Sequence, residues 1–161
     1  MIARTMTEAA RRLFAHADWA NRRLLDFFTA HPDMPDAARR RLAHLLAAEA
    51  LWLSRLEGES PAADVFPELD LDAMADLAER NRAGWAAYLA ELDDHDMGRL
   101  CAYRTTGGTA HETAIGDVVQ HVALHGSHHR GQICADARAA GQLPPVVDFI
   151  AYSRENGPST R

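Results

Sequence analysis

The chain has 161 residues, 47% hydrophobic and 25% charged, a size and balance that suit one globular domain with a real core. Its net charge of -6 argues against nucleic acid or an anionic membrane surface as partner, because both need a basic patch. No apolar run approaches the roughly 18 residues that span a bilayer, and the N-terminus has no secretory apolar core, so a cytoplasmic protein is expected.

Apolar spacing of three and four predicts a first helix over about 7–30, with Leu13, Ala17, Ala20, Leu24, Phe27 and Phe28 on one stripe. Pro32 and Pro35 end it, since proline disfavours helix at the residue before it. A second helix is expected over about 36–56, its stripe formed by Leu42, Leu45, Leu46, Trp52, Leu53 and Leu56, with Gly58 and Pro61 closing it. The Arg39-Arg40-Arg41 run reads as a solvated face. A third helix is expected over about 71–92, with Asp70 or Asp72 as N-cap and Met74, Leu77, Trp85, Tyr88, Leu89 and Leu92 buried. Asp93-Asp94-His95-Asp96 marks an exposed exit. Residues 99–106, followed by Gly107-Gly108, read as a short hairpin or a loop. The fourth helix is expected from about Thr113, its N-cap, to Gly141, its C-cap. After Pro144-Pro145 a short final helix is expected over 146–155, and 157–161 reads as a flexible tail. The expected fold class is all-α, a four-helix bundle with a short hairpin or loop before helix four and a short C-terminal helix, the domain running over 1–156. Cys101 and Cys134 form no metal-type spacing and are expected as reduced thiols.

The chemistry-bearing stretch lies in the fourth helix: His121-Val122-Ala123-Leu124-His125-Gly126-Ser127-His128-His129-Arg130-Gly131-Gln132. His125 and His129, four apart, stack on one helix face, where two neutral imidazoles can chelate one metal ion. Taking Ile115, Val118, Val122 and Ile133 as the buried direction puts His129 about 20° and His125 about 60° from its centre. His121 and His128 fall about 100° and 120° away, on the rim or in solvent. A functional site needs a third ligand and an open position. His31 and His95 sit at helix exits and read as solvated, and His111 precedes helix four. The wheel does not favour His44, which lies nearly opposite the leucine stripe of helix two, beside Ala47, Ala48 and Leu51. Glu49 lies on the apolar stripe and reads as a buried, hydrogen-bonded carboxylate, with orientation of a ligand histidine as its functional alternative. Asn21 is placed to hydrogen-bond across the bundle. Arg130 points away from the core centre on the wheel and suits an interhelical ion pair. Tyr103 is a candidate pocket residue from the hairpin. No catalytic base stands out. No Glu-x-x-His, His-Glu-x-x-His, Walker or dinucleotide pattern is present.

Trp19-Ala20-Asn21-Arg22-Arg23-Leu24-Leu25, His44-Leu45-Leu46-Ala47-Ala48-Glu49-Ala50-Leu51-Trp52-Leu53, the helix-four histidine motif and Pro144-Pro145-Val146-Val147-Asp148-Phe149 together resemble the DinB (damage-inducible) family of metalloenzymes in order and spacing. The resemblance covers nearly the whole chain. It implies a four-helix bundle, commonly a homodimer, with metal ligands His44, His125 and His129. For His44 this goes against the wheel. It implies a divalent transition metal, zinc or nickel foremost, with iron, manganese and copper as alternatives. Relatives in and around the family use low-molecular-weight thiols. The resemblance therefore implies a metal-assisted enzyme that transfers such a thiol cosubstrate to a small-molecule electrophile, in detoxification or stress. A metal-water hydrolase and a non-catalytic metal-binding stress protein are the alternatives.

Overall fold

The structure, a computed structural model, describes residues 5–59 and 64–157. It is mainly helical, with five helices and one two-stranded sheet: α1 (Met6–Ala30), α2 (Asp36–Leu56), α3 (Leu71–Glu91), β1 (Leu100–Arg104), β2 (Ala110–Ala114), α4 (Ile115–Ala139) and α5 (Phe149–Glu155). A short 3-10 turn at Asp96–Gly98 precedes β1. No helix among the described residues is long and apolar enough to cross a membrane. Pro61 and residues 158–161 of the expected tail lie outside the described residues.

The expected stripes are largely the buried ones. Ala17, Ala20, Leu24, Phe27 and Phe28 of α1 are buried, as are Leu42, Leu45, Leu46 and Leu53 of α2 and Met74, Trp85 and Leu89 of α3. Helix α1 opens with a capping box that sequence reading passed over. Thr5 accepts from the Glu8 backbone, and Glu8 reaches back to Thr5. Asp70 caps α3, accepting from the Ala73 N–H at 2.8 Å. The stretch before α4 is a true antiparallel hairpin, pairing Leu100 with Ala114 and Tyr103 with His111 across a turn where Gly108 has φ +86°. Thr113 is therefore not a helix cap. It belongs to β2, its hydroxyl 3.3 Å from that of Tyr103, and the strand runs directly into α4 with no side-chain cap. The last helix starts later than expected, at Phe149: residues 146–148 carry no helix, and Asp148 stands extended as its N-cap residue at φ -71° and ψ 142°. Cys101 and Cys134 are free thiols, neither bonded to the other.

Helix α1 packs mainly on α3, and α2 mainly on α4, with α2 also against α3. Two apolar clusters result. One gathers Leu24, Phe28, Leu42, Leu46, Met74 and Ile133, and the other Leu53, Trp85, Leu89, Val118 and Val122. Between them, by position along every long helix, lie four buried polar side chains: Asn21, Glu49, Asn81 and Arg130. The Asn21 amide donates to both Glu49 carboxylate oxygens at 3.2 and 3.3 Å. Asn81 donates to Glu49 Oε2 at 3.2 Å, and Arg130 donates to Asn21 Oδ1 at 3.1 Å. Burial pushes the Glu49 carboxyl upward in pKa, and the Arg130 cation and the two amides oppose that push. This corrects the helical-wheel reading of Arg130, which is only 2% exposed. Gly126 explains how it fits: a Cβ there would stand 3.0 Å from an Arg130 guanidinium nitrogen, so the missing side chain lets the arginine fold along its own helix toward α1.

His16 fastens the C-terminal segment. Its ring meets the Val147 carbonyl at 2.8 Å and packs among Trp19, Phe149 and Tyr152. Burial lowers its pKa below 6.5. The fold thus prefers neutral His16, and the unfolded chain takes the proton first. Stability from this contact is complete above about pH 6.5 and is lost as the pH falls below it. In urea titrations, the decline in the unfolding midpoint from pH 7 to pH 5 should be shallower for His16→Gln than for the wild type. Replacing Glu49 by Ala, which strands two amides and a buried guanidinium, should cost about 3 kcal/mol or more in the same assay.

Candidate metal centre

Helix α4 sets His125 and His129 one turn apart, their Nε2 atoms 3.1 Å from each other. Two nitrogens bound to one metal at about 2.0–2.1 Å with angles between square and tetrahedral lie roughly 2.9–3.4 Å apart, so this spacing fits a shared ion as well as a direct Nε2–H···Nε2 hydrogen bond between the rings. Helix α2 brings in His44 from across the interface. Its ring centre lies 5.3 Å from that of His125 and 4.8 Å from that of His129, steeply inclined to both. One nitrogen of each of the three rings lies within 4.8 Å of the others. All three residues are half-buried, at the edge of the core and within reach of solvent.

The ring tautomers follow from their acceptors. His44 Nδ1 faces the Val65 carbonyl, and His129 Nδ1 faces Gln132 Oε1 at 2.8 Å. An oxygen accepts only from a protonated nitrogen, so in both rings Nδ1 carries the hydrogen and Nε2 keeps its lone pair. This outer hydrogen bond also raises a ligand's basicity and fixes its plane. Phe66 stacks flat on His44, at 4.3 Å and 9°. Burial first, then the neighbouring imidazoles His129, His44, His121 and His128, push His125 down to about 4. His129 is lowered too, by burial above all, against the pull of its Gln132 bond. At neutral pH both rings are therefore uncharged, the form that ligates a metal.

The structure brings together all three histidines named from the sequence. His44 escapes a one-sided wheel because α2 is buried on two sides. Ala43, Ala48 and Leu51 are covered as well as the leucine stripe, and His44 belongs to the face turned to α4. His121 and His128 are exposed, as expected, and flank the centre. His95 and His111 are exposed; His31 is half-buried rather than solvated, its Nδ1 on the Phe27 carbonyl. Glu49 touches none of the three, so it is the buried hydrogen-bonded carboxylate and not the partner of a ligand. Tyr103 packs on Trp52, and Trp52 in turn on His121, so Tyr103 borders the approach without reaching the triad. Sequence reading missed Val65, Phe66 and Gln132. The i,i+3 spacing from His129 could have revealed Gln132, whereas a backbone carbonyl has no sequence signature. One other grouping exists among the described residues, Asp93, His95 and Asp96. There Asp96 is committed to Arg99 and to the Asp93 N–H, and His95 is exposed.

Over residues 6–160 the chain matches the DinB family. It is also similar to Protein DinB of Bacillus subtilis (strain 168), 21% identical across 91% of this chain and 95% of that protein. The chain belongs to the DinB family.

Protein prepared without a histidine tag should retain a divalent metal near one equivalent, read by elemental analysis. His125→Ala and His129→Ala should each abolish it, and undiminished binding in both would remove the centre. Gln132→Ala should keep the site but loosen it by roughly 10- to 100-fold in a competition titration.

Proposed function

We propose that this DinB family member is a metal-dependent enzyme on a four-helix bundle, in which His44, His125 and His129 hold a divalent transition metal and a low-molecular-weight thiol is activated for transfer to a small electrophile. The observation that carries the reading is the convergence of three imidazole nitrogens within 4.8 Å, two of the rings held by their far nitrogens. Three nitrogen donors suit zinc and nickel foremost, with iron, manganese and copper also accommodated by such a set. A divalent cation held by three neutral imidazoles keeps its full charge and, with a position left open, favours thiolate over thiol at neutral pH.

The chain's own side chains then have simple tasks. The Val65 carbonyl and Gln132 hold two ligands in the correct tautomer. The low pKa of His125 keeps protons from competing for its nitrogen. His121, Trp52 and Tyr103 form an aromatic flank on one side, able to pack against a small-molecule substrate. Cys101 and Cys134 stand outside the triad, so the thiol is supplied from solution. The net charge of -6 supports a small-molecule substrate over nucleic acid or a membrane surface. Homodimeric assembly in the cytoplasm belongs to the same reading.

Cobalt-substituted protein should develop a sulfur-to-cobalt charge-transfer band on addition of glutathione, cysteine or N-acetylcysteine. Cys101→Ser combined with Cys134→Ser should leave that band intact. No band with any thiol, together with turnover of an ester or amide panel, would replace thiol transfer by hydrolysis. Silence in both would leave a non-catalytic metal-binding protein.

A further inference from the structure

On the side of the polar layer that meets α1 and α3 lies a cavity of about 380 Å³, which shares no residue with the histidine triad. Its inner wall is polar and buried: Asn21, Glu49 and Asn81, each 5% exposed or less. The rest of the lining is largely apolar. Ala17 and Ala78 leave room, and Phe14 and Trp85 supply two rings with centres 4.1 Å apart. The Trp85 N–H is spent on the Glu49 carbonyl at 3.1 Å. Asn81 is the telling residue. Both hydrogens of its amide are used, on the Leu46 carbonyl at 2.9 Å and on Glu49 Oε2 at 3.2 Å. Two acceptors on one side fix which end of the amide is nitrogen. Its oxygen accepts no hydrogen bond among the described residues. No sealed side-chain nitrogen or oxygen there lacks a partner, so the Asn81 oxygen touches open space, and the space that Asn81 borders is this cavity. Glu49 also has capacity left. The three amide contacts it accepts run from 3.2 to 3.3 Å, long for a carboxylate that can take about four.

We infer that this cavity is a second binding site, for a small uncharged molecule that is apolar over most of its surface and carries one hydroxyl or N–H donor. The donor bonds the Asn81 oxygen or Glu49, and the apolar body packs on Phe14, Trp85 and the alanines. The size is that of a small-ligand pocket. The inner wall selects a donor because it has only acceptors to spare: the Asn21 amide is spent on Glu49, and its oxygen already accepts from Arg130. Glu49 repels an anion. An ammonium ion meets Arg11 and Arg82 at the exposed mouth and loses its water inside. The charged groups of the mouth are engaged with the protein itself. Arg11 holds the Leu89 and Leu92 carbonyls at 2.9 and 3.0 Å, Arg82 holds Glu79, and Asp18 holds Arg22 at 2.9 Å. None of His44, His125 and His129 takes part, so the site stands apart from the proposed metal chemistry.

The test titrates the full-length protein by calorimetry with four probes of similar size: phenol, toluene, benzoate and benzylammonium. Phenol and toluene have nearly one shape and differ in the donor. Phenol should saturate, and toluene should bind roughly tenfold more weakly or worse, because it leaves the acceptors unpaired. Both charged probes should bind more weakly than phenol. Asn81→Leu should bring phenol down to the level of toluene without weakening toluene. Ala78→Met, which fills the cavity, should weaken both by roughly tenfold or more. Should Asn81→Leu fail to fold, the wild-type ratio of phenol to toluene and the Ala78→Met result decide between them. His129→Ala, with or without metal, should bind phenol as the wild type does, which separates this site from phenol held on an ion. No saturation by any probe would overturn the site, as would phenol binding unchanged in Ala78→Met or lost in His129→Ala. Toluene binding as tightly as phenol would reduce the cavity to an apolar void, and a charged probe binding tightest would overturn the assigned class.

Discussion

The structure depends on one buried polar layer, to which each of the four long helices contributes a side chain: Asn21, Glu49, Asn81 and Arg130. Apolar packing tolerates sliding, because one leucine replaces another at little cost. A buried carboxylate and guanidinium do not. Shifting any helix by a turn would strand amides or a charge in a medium that cannot solvate them. The layer therefore sets helix register in a way the two apolar clusters on either side cannot. Its influence reaches the candidate centre directly, because Arg130 follows His129. Once Arg130 is turned toward Asn21, His129 and His125 are left on the flank facing α2. On α2, Glu49 lies five residues past His44, about 140° around the helix, so one residue serves the interior layer while the other faces α4. Indole Nε1 of Trp85 adds a tie to the Glu49 carbonyl at 3.1 Å.

The centre is built with neutral donors. No carboxylate belongs to the triad, so nothing in the ligand set offsets the charge of a bound cation. The hydrogen-bond acceptors outside it, a main-chain carbonyl and an amide oxygen, are neutral as well. They orient imidazoles without adding the negative charge that a carboxylate partner would bring. Arg41 comes to 3.5 Å from the same Gln132 oxygen and bonds Asp136 at 2.8 Å, so Gln132 is itself held from α2. One arginine of a run that reads as a solvated face thereby joins the support of the site.

How much could be read beforehand differs sharply between residues. His125 and His129 were legible because the i,i+4 interval falls on a face defined by Val118, Val122 and Ile133. His44 was legible only through family resemblance. A helix wheel assumes one buried side, and α2 is covered on two. Arg130 was misplaced for a related reason: a wheel weights residues by hydrophobicity and has no means of seeing that Gly126 opens a channel for a charged one. The hairpin remained undecided between strand and loop because Leu100 to Arg104 has one face exposed and a partner ten residues on, information that is pairwise and not periodic. Arg55 drew no attention because an arginine near a helix end normally reads as solvated. The structure instead lays its guanidinium on the rings of Trp52 and Tyr103.

His44 is held from outside its own helix. Residues 64–70 provide both the Val65 carbonyl beneath its Nδ1 and the Phe66 ring against its face, and the Phe66 ring is itself 67% exposed. A connector between two helices thus completes the centre, and thermodynamic reciprocity follows. Were an ion held there, whatever steadies residues 64–70 would tighten its hold by the same factor that the ion steadies them. A molecule resting on the outer face of Phe66 would consequently be felt at the ion without touching it. Residues 64–70, unremarkable in sequence, thereby join the exposed outer face of Phe66 to the plane and tautomer of a histidine.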